Sequence, residues 1–552
     1  MKKTVSSILL ALILHPAAAV AQTRTIWHVT DTHVMSPKVC PVQGKAYDIY
    51  NFQEPQMDFH SVALFQAVID SALTYRPDIM LLSGDLTKNG EKVSHETVAE
   101  MLKPVKENGT KVYVIPGNHD LHNPTGCIYD IETVRRSPGL SDDEFAALYG
   151  EYGYGEAVSR DRTTLSYAVY PSDELALLCI DANDWTTAVN NGTERPDTTE
   201  RVSCAGSLSE ETLLWMERQA ALAGASGHRV FVALHQTLFH HFDKEKTLLA
   251  SNLINADDSI NDEGRLIQRF ADMGVEVVFS GHRHFQDINY LTDSQDRKVW
   301  EINTGALVEQ RPQYRICELT ETELQVNTVV LRNVNLDGKG TSTDEYARQW
   351  FFSIKDQFLR ALCIAAWPKV NEVLSTLPSF VKVLNLPDSY EKFYSLFDRY
   401  LADDVMQAYF IMAVGNEHFT DHSALIESIQ AHVNAALLEI CNNDEAIQKG
   451  VLMLLSVFAP DISFSTFAQD FFTSPLENYI TANGGVVIDD DNCVIPLVNG
   501  AGMYVDGIST TDDAREGSDA YKSVYDLTGR KVDVRHTGRG IYSVAGRKYL
   551  KH

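Results

Sequence analysis

Five short apolar runs, at residues 25–29, 79–82, 112–115, 230–234 and 275–279, each end in a polar cluster. Runs of that length and continuity predict buried strands, because a strand covered on both faces carries apolar side chains at successive positions. Between them, residues 60–73 and 96–105 have apolar positions at three- and four-residue spacing, and Ser207 with Glu210 makes a capping-box pattern ahead of Leu213, Leu214 and Met216. Both features predict helices. Strands alternating with helices predict an α/β fold in which ligands gather beyond the carboxyl ends of the strands. Residues 299–307 and 314–331 read as further strands, and the stretch 129–196, rich in Asp, Thr and Tyr, reads as an insertion overhanging those strand ends.

The pattern changes near residue 344. Trp350, Phe351, Ile354, Phe358, Leu359 and Leu362 recur on helical faces, and helical spacing returns at 390–401, 404–414, 424–441 and 445–458. This predicts a helical domain, either a lid over the strand ends or a purely structural appendage. Residues 484–498 alternate like a hairpin around Asp489-Asp490-Asp491-Asn492, residues 509–519 form a polar linker, and 524–532 and 540–549 read as two strand-turn units. The predicted partition is a leader at 1–21, a catalytic domain at 22–335, a helical domain at 336–480, a hairpin and linker at 481–520 and a β tail at 521–552.

The polar clusters that close the five apolar runs carry the candidate chemistry. They are Asp31-Thr32-His33, Gly84-Asp85, Gly117-Asn118-His119-Asp120, a lone His235, and Gly281-His282-Arg283-His284. Any one of them alone is a common surface or core feature. Five in register with five strand ends supply enough oxygen and imidazole donors for two divalent cations. The mixture suits Mn, Fe or Zn, whereas an all-oxygen cage suits Mg or Ca. In two-metal hydrolases the ions lie ~3.5–4 Å apart, activate a water as hydroxide and clamp the attacking and leaving oxygens of an in-line displacement. A carboxylate such as Asp85 can bridge them, and a phosphoryl centre fits the arrangement. Arg283 reads either as a grip for a phosphate oxygen or as a solvated loop residue. His240 and His241 read as weaker candidates for the cleft, His28 as a residue packed on the sheet, and Gly415-Asn416-Glu417-His418 as an imitation of a metal box.

The ordered boxes resemble the calcineurin-like metallophosphoesterase superfamily over roughly residues 24–335. Asp31/His33 and Gly84-Asp85-Leu86-Thr87-Lys88-Asn89-Gly90 look most like its class III cyclic-nucleotide phosphodiesterase branch, since purple acid phosphatases lack a His at the position matching His33. The resemblance implies a four-layer αββα sandwich. It also implies that Asp31, His33 and His284 hold one metal, that Asn118, His235 and His282 hold the other, and that Asp85 bridges them. His119 then protonates the leaving alkoxide, and Asp120 orients the imidazole of His119 or of a ligand. The implied reaction is hydrolysis of a phosphodiester, with a phosphomonoester as the alternative substrate and a catalytically dead binding module as the alternative from another class.

Charge and cysteine usage narrow the partners. A formal net charge of -28 over 552 residues argues against a nucleic-acid backbone and leaves a small phosphorylated substrate compatible. Lys2 and Lys3, an apolar run at 5–14, Pro16 and the small residues Ala19-Val20-Ala21 read as an export signal cleaved before Gln22. That run is short of the ~20 residues that span a bilayer, and no later run reaches that length. The expected location is periplasmic, cell-surface or extracellular. The β tail resembles the C-terminal sorting domains of Bacteroidetes proteins exported by type IX machinery. Among the eight cysteines, Cys40 and Cys127 are a plausible bridge, and Cys179 reads as a buried small hydrophobe.

Overall fold

The computed structural model describes residues 23–50, 56–194, 200–239, 241, 263–376, 384–416, 423–458 and 488–497, together with three tail strands at 524–526, 540–544 and 547–551. The leader at 1–21, His240 and the polar linker at 509–519 lie outside the described residues. Three parallel strands open the chain: β1 (Arg24–Val29), β2 (Ile79–Ser83) and β3 (Lys111–Ile115). A small ribbon follows, β4 (Cys127–Tyr129) with β5 (Val134–Arg136). The next seven strands make a second sheet: β6 (Ser159–Arg160), β7 (Tyr167–Val169), β8 (Leu175–Cys179), β9 (Arg229–Ala233), β10 (Val275–Ser280), β11 (Asp287–Thr292) and β12 (Lys298–Asn303), in the order β11-β12-β10-β9-β8-β7-β6. The chain then returns to the first sheet through β13 (Gln313–Leu319), β14 (Glu323–Val330) and, from far along the sequence, β15 (Asn492–Pro496). The first sheet runs β15-β14-β13-β1-β2-β3.

The two sheets face each other with helices outside, as the αββα expectation required. Phe231, Ala233, Val277 and Phe279 join one core with Leu81, Val114 and the helix Ser61–Tyr75. On the other face of the same strands, Val230, Val232 and Val278 pack with Leu213, Met216, Leu266 and Phe270 from helices Glu210–Ala225 and Glu263–Met273. Both faces of β9 and β10 are therefore covered, which is why their sequences are continuously apolar.

Several details differ from the pattern-based expectation. The segment 314–331 is two strands, because Thr320 Oγ1 accepts from Glu323 N and turns the chain between β13 and β14. The stretch 129–196 is not a simple overhang: it contributes β6, β7 and β8, with Tyr167 and Leu178 fully buried. The cap of helix Glu210–Ala225 is Ser209, whose hydroxyl accepts from Thr212 N at 3.1 Å, rather than Ser207. Of the expected hairpin at 484–498, residues 488–497 are described, and there Asn492–Pro496 joins the first sheet, pairing antiparallel with β14. Cys40 and Cys127 are not bridged: both are buried in one small apolar cluster, where their thiols donate to the carbonyls of Val42 and Thr125. Cys179 is a buried thiol within β8.

Beyond β14 lie helices Thr343–Ser353, Lys355–Thr376, Tyr390–Tyr400, Ala402–Val414, Ser423–Ile440 and Glu445–Phe458. Phe351, Leu359, Tyr394, Phe397 and Met406 form a core shared by the first four, and Ile429 and Val433 of Ser423–Ile440 pack against Leu401 and Val405. The tail strands make a separate three-stranded antiparallel sheet. No described helix is long and apolar enough to cross a membrane.

Candidate metal centre

Strands β1, β2, β3, β9 and β10 end together, and the loops after them are bound to one another. Asp31 N donates to Gly84 O, His33 N to Asp85 O and Gly281 N to His235 O. Asp31, His33, Asp85, His282 and His284 all have positive φ, between 37° and 69°. Such conformations cost about 1–3 kcal/mol each for non-glycine residues and persist only where the surroundings over-determine them. Concentrated at one spot, they aim side chains that ordinary strand geometry would point elsewhere.

Two glycines make the approach possible. A Cβ at Gly117 would fall inside the Asp85 carboxylate, and one at Gly281 inside the Asp31 carboxylate and the Thr30 hydroxyl. Glycine is required there for close packing rather than for chain freedom.

The predicted ligands converge. Asp31, His33, Asp85 and His284 place donor atoms within 4.8 Å of one another, as do Asp85, His235 and His282. Asp85 belongs to both groups. Its Oδ1 accepts from His119 N at 2.8 Å, which leaves Oδ2 facing His235 Nε2 at 3.2 Å and His33 Nε2 at 3.6 Å. A single oxygen, rather than the pair, thus stands between the groups. Asn118 Oδ1 lies 3.0 Å from His235 Nε2, so the amide joins the second group.

The donors fit cations. Asp31 Oδ2 accepts from Thr30 Oγ1 and His282 N, while Oδ1 is buried without a hydrogen bond, although His284 Nε2 is 3.1 Å away. The Nε2 atoms of His33 and His284 face each other at 3.3 Å. Lone pairs and carboxylate charge converging on a dry point are what a divalent ion neutralises. Without one, protons take up the charge. Burial opposes a charge on His284, yet the Glu309 and Asp31 carboxylates hold its pKa well above the ordinary histidine value. Burial likewise opposes charging His235, but Asp85 lifts it to about 9. His33 and His282 are held low, burial being the largest cause.

His119 stands beside this centre, its ring 4.9 Å from that of His33 and edge-on to it. Its Nδ1 lies 2.8 Å from Lys88 O and 2.9 Å from Asn89 Oδ1. Those acceptors fix the proton on Nδ1 and leave proton exchange to Nε2. Asp120 does something other than expected. Its carboxylate accepts from Leu86 N, Thr87 N, Thr87 Oγ1 and Gly117 N, stapling two loops together, and no imidazole is among those partners.

Residues 24–286 match the Calcineurin-like phosphoesterase family. This stretch is similar to that family. Among curated proteins, the chain is 39% identical over 62 residues to a probable cyclic nucleotide phosphodiesterase of Ruthia magnifica, covering 11% of this chain and 25% of that one. It is 26% identical over 192 residues to a probable glycerophosphodiester phosphodiesterase of Arcobacter nitrofigilis, covering 35% and 50%. The chain thus spans a quarter to a half of the length of these curated relatives. A dimetal phosphatase from Danio rerio superposes with a TM-score of 0.37 and 14% identity, over 55% of this chain and 95% of that one.

The groups that support the donors escaped the sequence reading. Glu309 Oε1 accepts from His284 Nδ1 at 2.5 Å, and Ser83 O from His235 Nδ1 at 2.8 Å. Glu309 had one available signal, a carboxylate just past the apolar run 299–307. A backbone carbonyl such as that of Ser83 has none. His28 is buried as expected, between Ser83 Oγ and Thr304 Oγ1, and burial, followed by the Arg315 charge, lowers it to about 3. His241 does not line the centre, since it is locked between Asp287 and Glu301. Gly415 and Asn416 lie against Gln286 and Asp490 and belong to neither donor group, and Glu417 and His418 lie outside the described residues.

Proposed function

We propose that this chain is an exported two-metal phosphoesterase whose substrate is a small phosphodiester. The observation that carries the reading is Asp85 Oδ2, shared by two donor groups beside an anchored histidine. Asp31, His33 and His284 would hold one ion, Asn118, His235 and His282 the other, and Asp85 both. Two divalent ions, when bound, supply Lewis acidity and an activated water for in-line displacement. His119 gives the departing alkoxide a proton from Nε2, a contribution of about 10²–10⁴-fold. Asp120 keeps the loops of Asp85 and His119 in register.

The diester preference rests on charge. Lys88 and Arg283 are cationic side chains carried by the site's own loops, and both are turned to other partners. Lys88 Nζ lies 2.5 Å from Asp58 Oδ2, and the Arg283 guanidinium sits 5.8 Å above the Phe285 ring. A diester brings one negative charge, which the ions offset. A monoester dianion brings two and gains more from an added guanidinium. Similarity to two proteins named as probable phosphodiesterases points the same way.

Turnover of bis(p-nitrophenyl) phosphate and p-nitrophenyl phosphate, side by side with Mn²⁺, tests the class, and the diester is the expected preference. A strong preference for the monoester makes the chain a phosphomonoesterase instead. Close to two transition ions per purified chain is expected, and a chain that binds none and gains no activity on adding Mn²⁺, Fe²⁺ or Zn²⁺ overturns the enzyme reading altogether. The export reading rests on the amino-terminal pattern, and the type IX route on the strand-turn tail. A mature chain beginning at Gln22 supports the first, and a secreted chain retaining Met1 overturns it.

A further inference from the structure

The loop that carries His282 and His284 is held from outside the phosphoesterase domain. Residue 286 is its downstream anchor. Gln286 N donates to Ala413 O at 3.2 Å, at the end of helix Ala402–Val414, and its side-chain Oε1 accepts from Gly305 N at 3.0 Å. Phe285 meets Tyr409 of the same helix edge-on, with ring centres 5.4 Å apart. Arg311, two residues past Glu309, donates to Val414 O at 2.6 Å and pairs with Asp491 at 2.7 Å.

Asp490 joins these parts. It is 1% exposed, although it lies in what the sequence pattern presents as an acidic surface turn. Its Oδ1 accepts from Ile288 N at 3.0 Å and its Oδ2 from Asn416 N at 2.8 Å. Its carbonyl accepts from the buried Arg315 Nη1 at 2.5 Å and from Gln286 Nε2 at 3.5 Å. Asn416 Oδ1 in turn accepts from Asp490 N at 2.8 Å. Asp490 therefore ties the end of a helix and the start of β11 together through its carboxylate, and reaches Gln286, just after His284, through its carbonyl.

We propose that Asp490 is a positioning residue for the metal-bearing loop, through which the helical domain holds His284 in its ligating conformation. His282 and His284 sit at φ of 69° and 57°, and conformations of this kind relax unless both flanks are held. The upstream flank is held by Gly281 N on His235 O and by His282 N on Asp31. The downstream flank is held by Gln286 and Ile288, and both are partners of Asp490. This rests on the two-metal reading above.

The test is titration of the metal-free full chain with Mn²⁺, followed by calorimetry, alongside thermal unfolding of the same metal-free chains. His33→Ala identifies the binding step that belongs to the His284 group. Asp490→Asn, which keeps the size but loses one acceptor, is expected to weaken that same step about tenfold, in line with the effect of groups that orient ligands. The other step and the unfolding midpoint are expected to stay near those of the unsubstituted chain, and turnover to recover at saturating Mn²⁺. Asn416→Ala, which removes the side-chain bonds to Asp490 N and Asp489 Oδ1 and keeps Asn416 N on the Asp490 carboxylate, is expected to weaken the same step by less. Both steps unchanged in Asp490→Asn, or both weakened equally together with a lowered midpoint, overturns the proposal. Absence of two binding steps in the unsubstituted chain sinks the two-metal reading instead, and is seen before any variant is made.

Discussion

Glu309 Oε1 accepts a hydrogen bond from His284 Nδ1 at 2.5 Å, and on the far side of the same ring Nε2 faces Asp31 Oδ1 at 3.1 Å. The carboxylate fixes the tautomer that presents a lone pair from Nε2. Outer carboxylates of this kind are worth about 10- to 100-fold in metal affinity. Glu309→Ala is therefore expected to lower Mn²⁺ affinity by that factor while excess metal restores turnover. Equal affinity in the two chains, measured by competition with a chelating dye, would show that Glu309 does not act through His284.

Asp85 and His119 separate binding from proton transfer. Asp85→Ala removes the oxygen common to both donor groups, so both ions and all activity are expected to be lost. His119→Ala is expected to leave metal content near normal and to slow poorly activated leaving groups most, by about 10²–10⁴-fold. Elemental analysis of the two purified variants checks the split. If His119→Ala strips the ions, His119 is a ligand or its support and the role given to it is wrong.

Gly117 and Gly150 form a matched pair. A methyl group at Gly117 collides with the Asp85 carboxylate, whereas one at Gly150 meets nothing within 4 Å. Gly117→Ala is expected to abolish metal binding and Gly150→Ala to leave it intact. Equal metal content in the two variants would mean that the Asp85 loop yields to the added atom.

His241 supports the fold through charge. It is buried between Asp287 and Glu301, and Glu301 also accepts from Leu238 N at 2.8 Å. Burial opposes its charge, yet the two carboxylates push it up to about 10. Removing one partner of such a buried group costs about 3–5 kcal/mol, because the carboxylates remain without their cation. A raised histidine contributes fully below its ordinary value near 6.5, and its contribution is lost as pH rises through about 10. Urea unfolding should therefore show His241→Ala far less stable than the unsubstituted chain at pH 6, with the gap closing above pH ~10. A gap independent of pH would assign the effect to packing alone.

The local pattern was enough to locate the strands that end at Asp31, Asp85, Asn118, His235 and His282, since a strand buried on both faces is continuously apolar and the residue after it is not. The donor types and their order were legible for the same reason: ligands sit at strand ends, and strand ends are local features. What only the tertiary structure decided depends on segments distant in sequence meeting. That Asp85 presents one oxygen to both groups follows from His119 N occupying the other, 34 residues away. That Asp120 staples loops instead of orienting a ring follows from amides at 86, 87 and 117 arriving together. Residues 489–496 alternate as a surface hairpin would, because alternation records one buried face and is blind to which sheet covers it. Docked on β14, they become part of the first sheet, and Asp490, an unremarkable acid in the sequence, comes to lie beside the loop of His284.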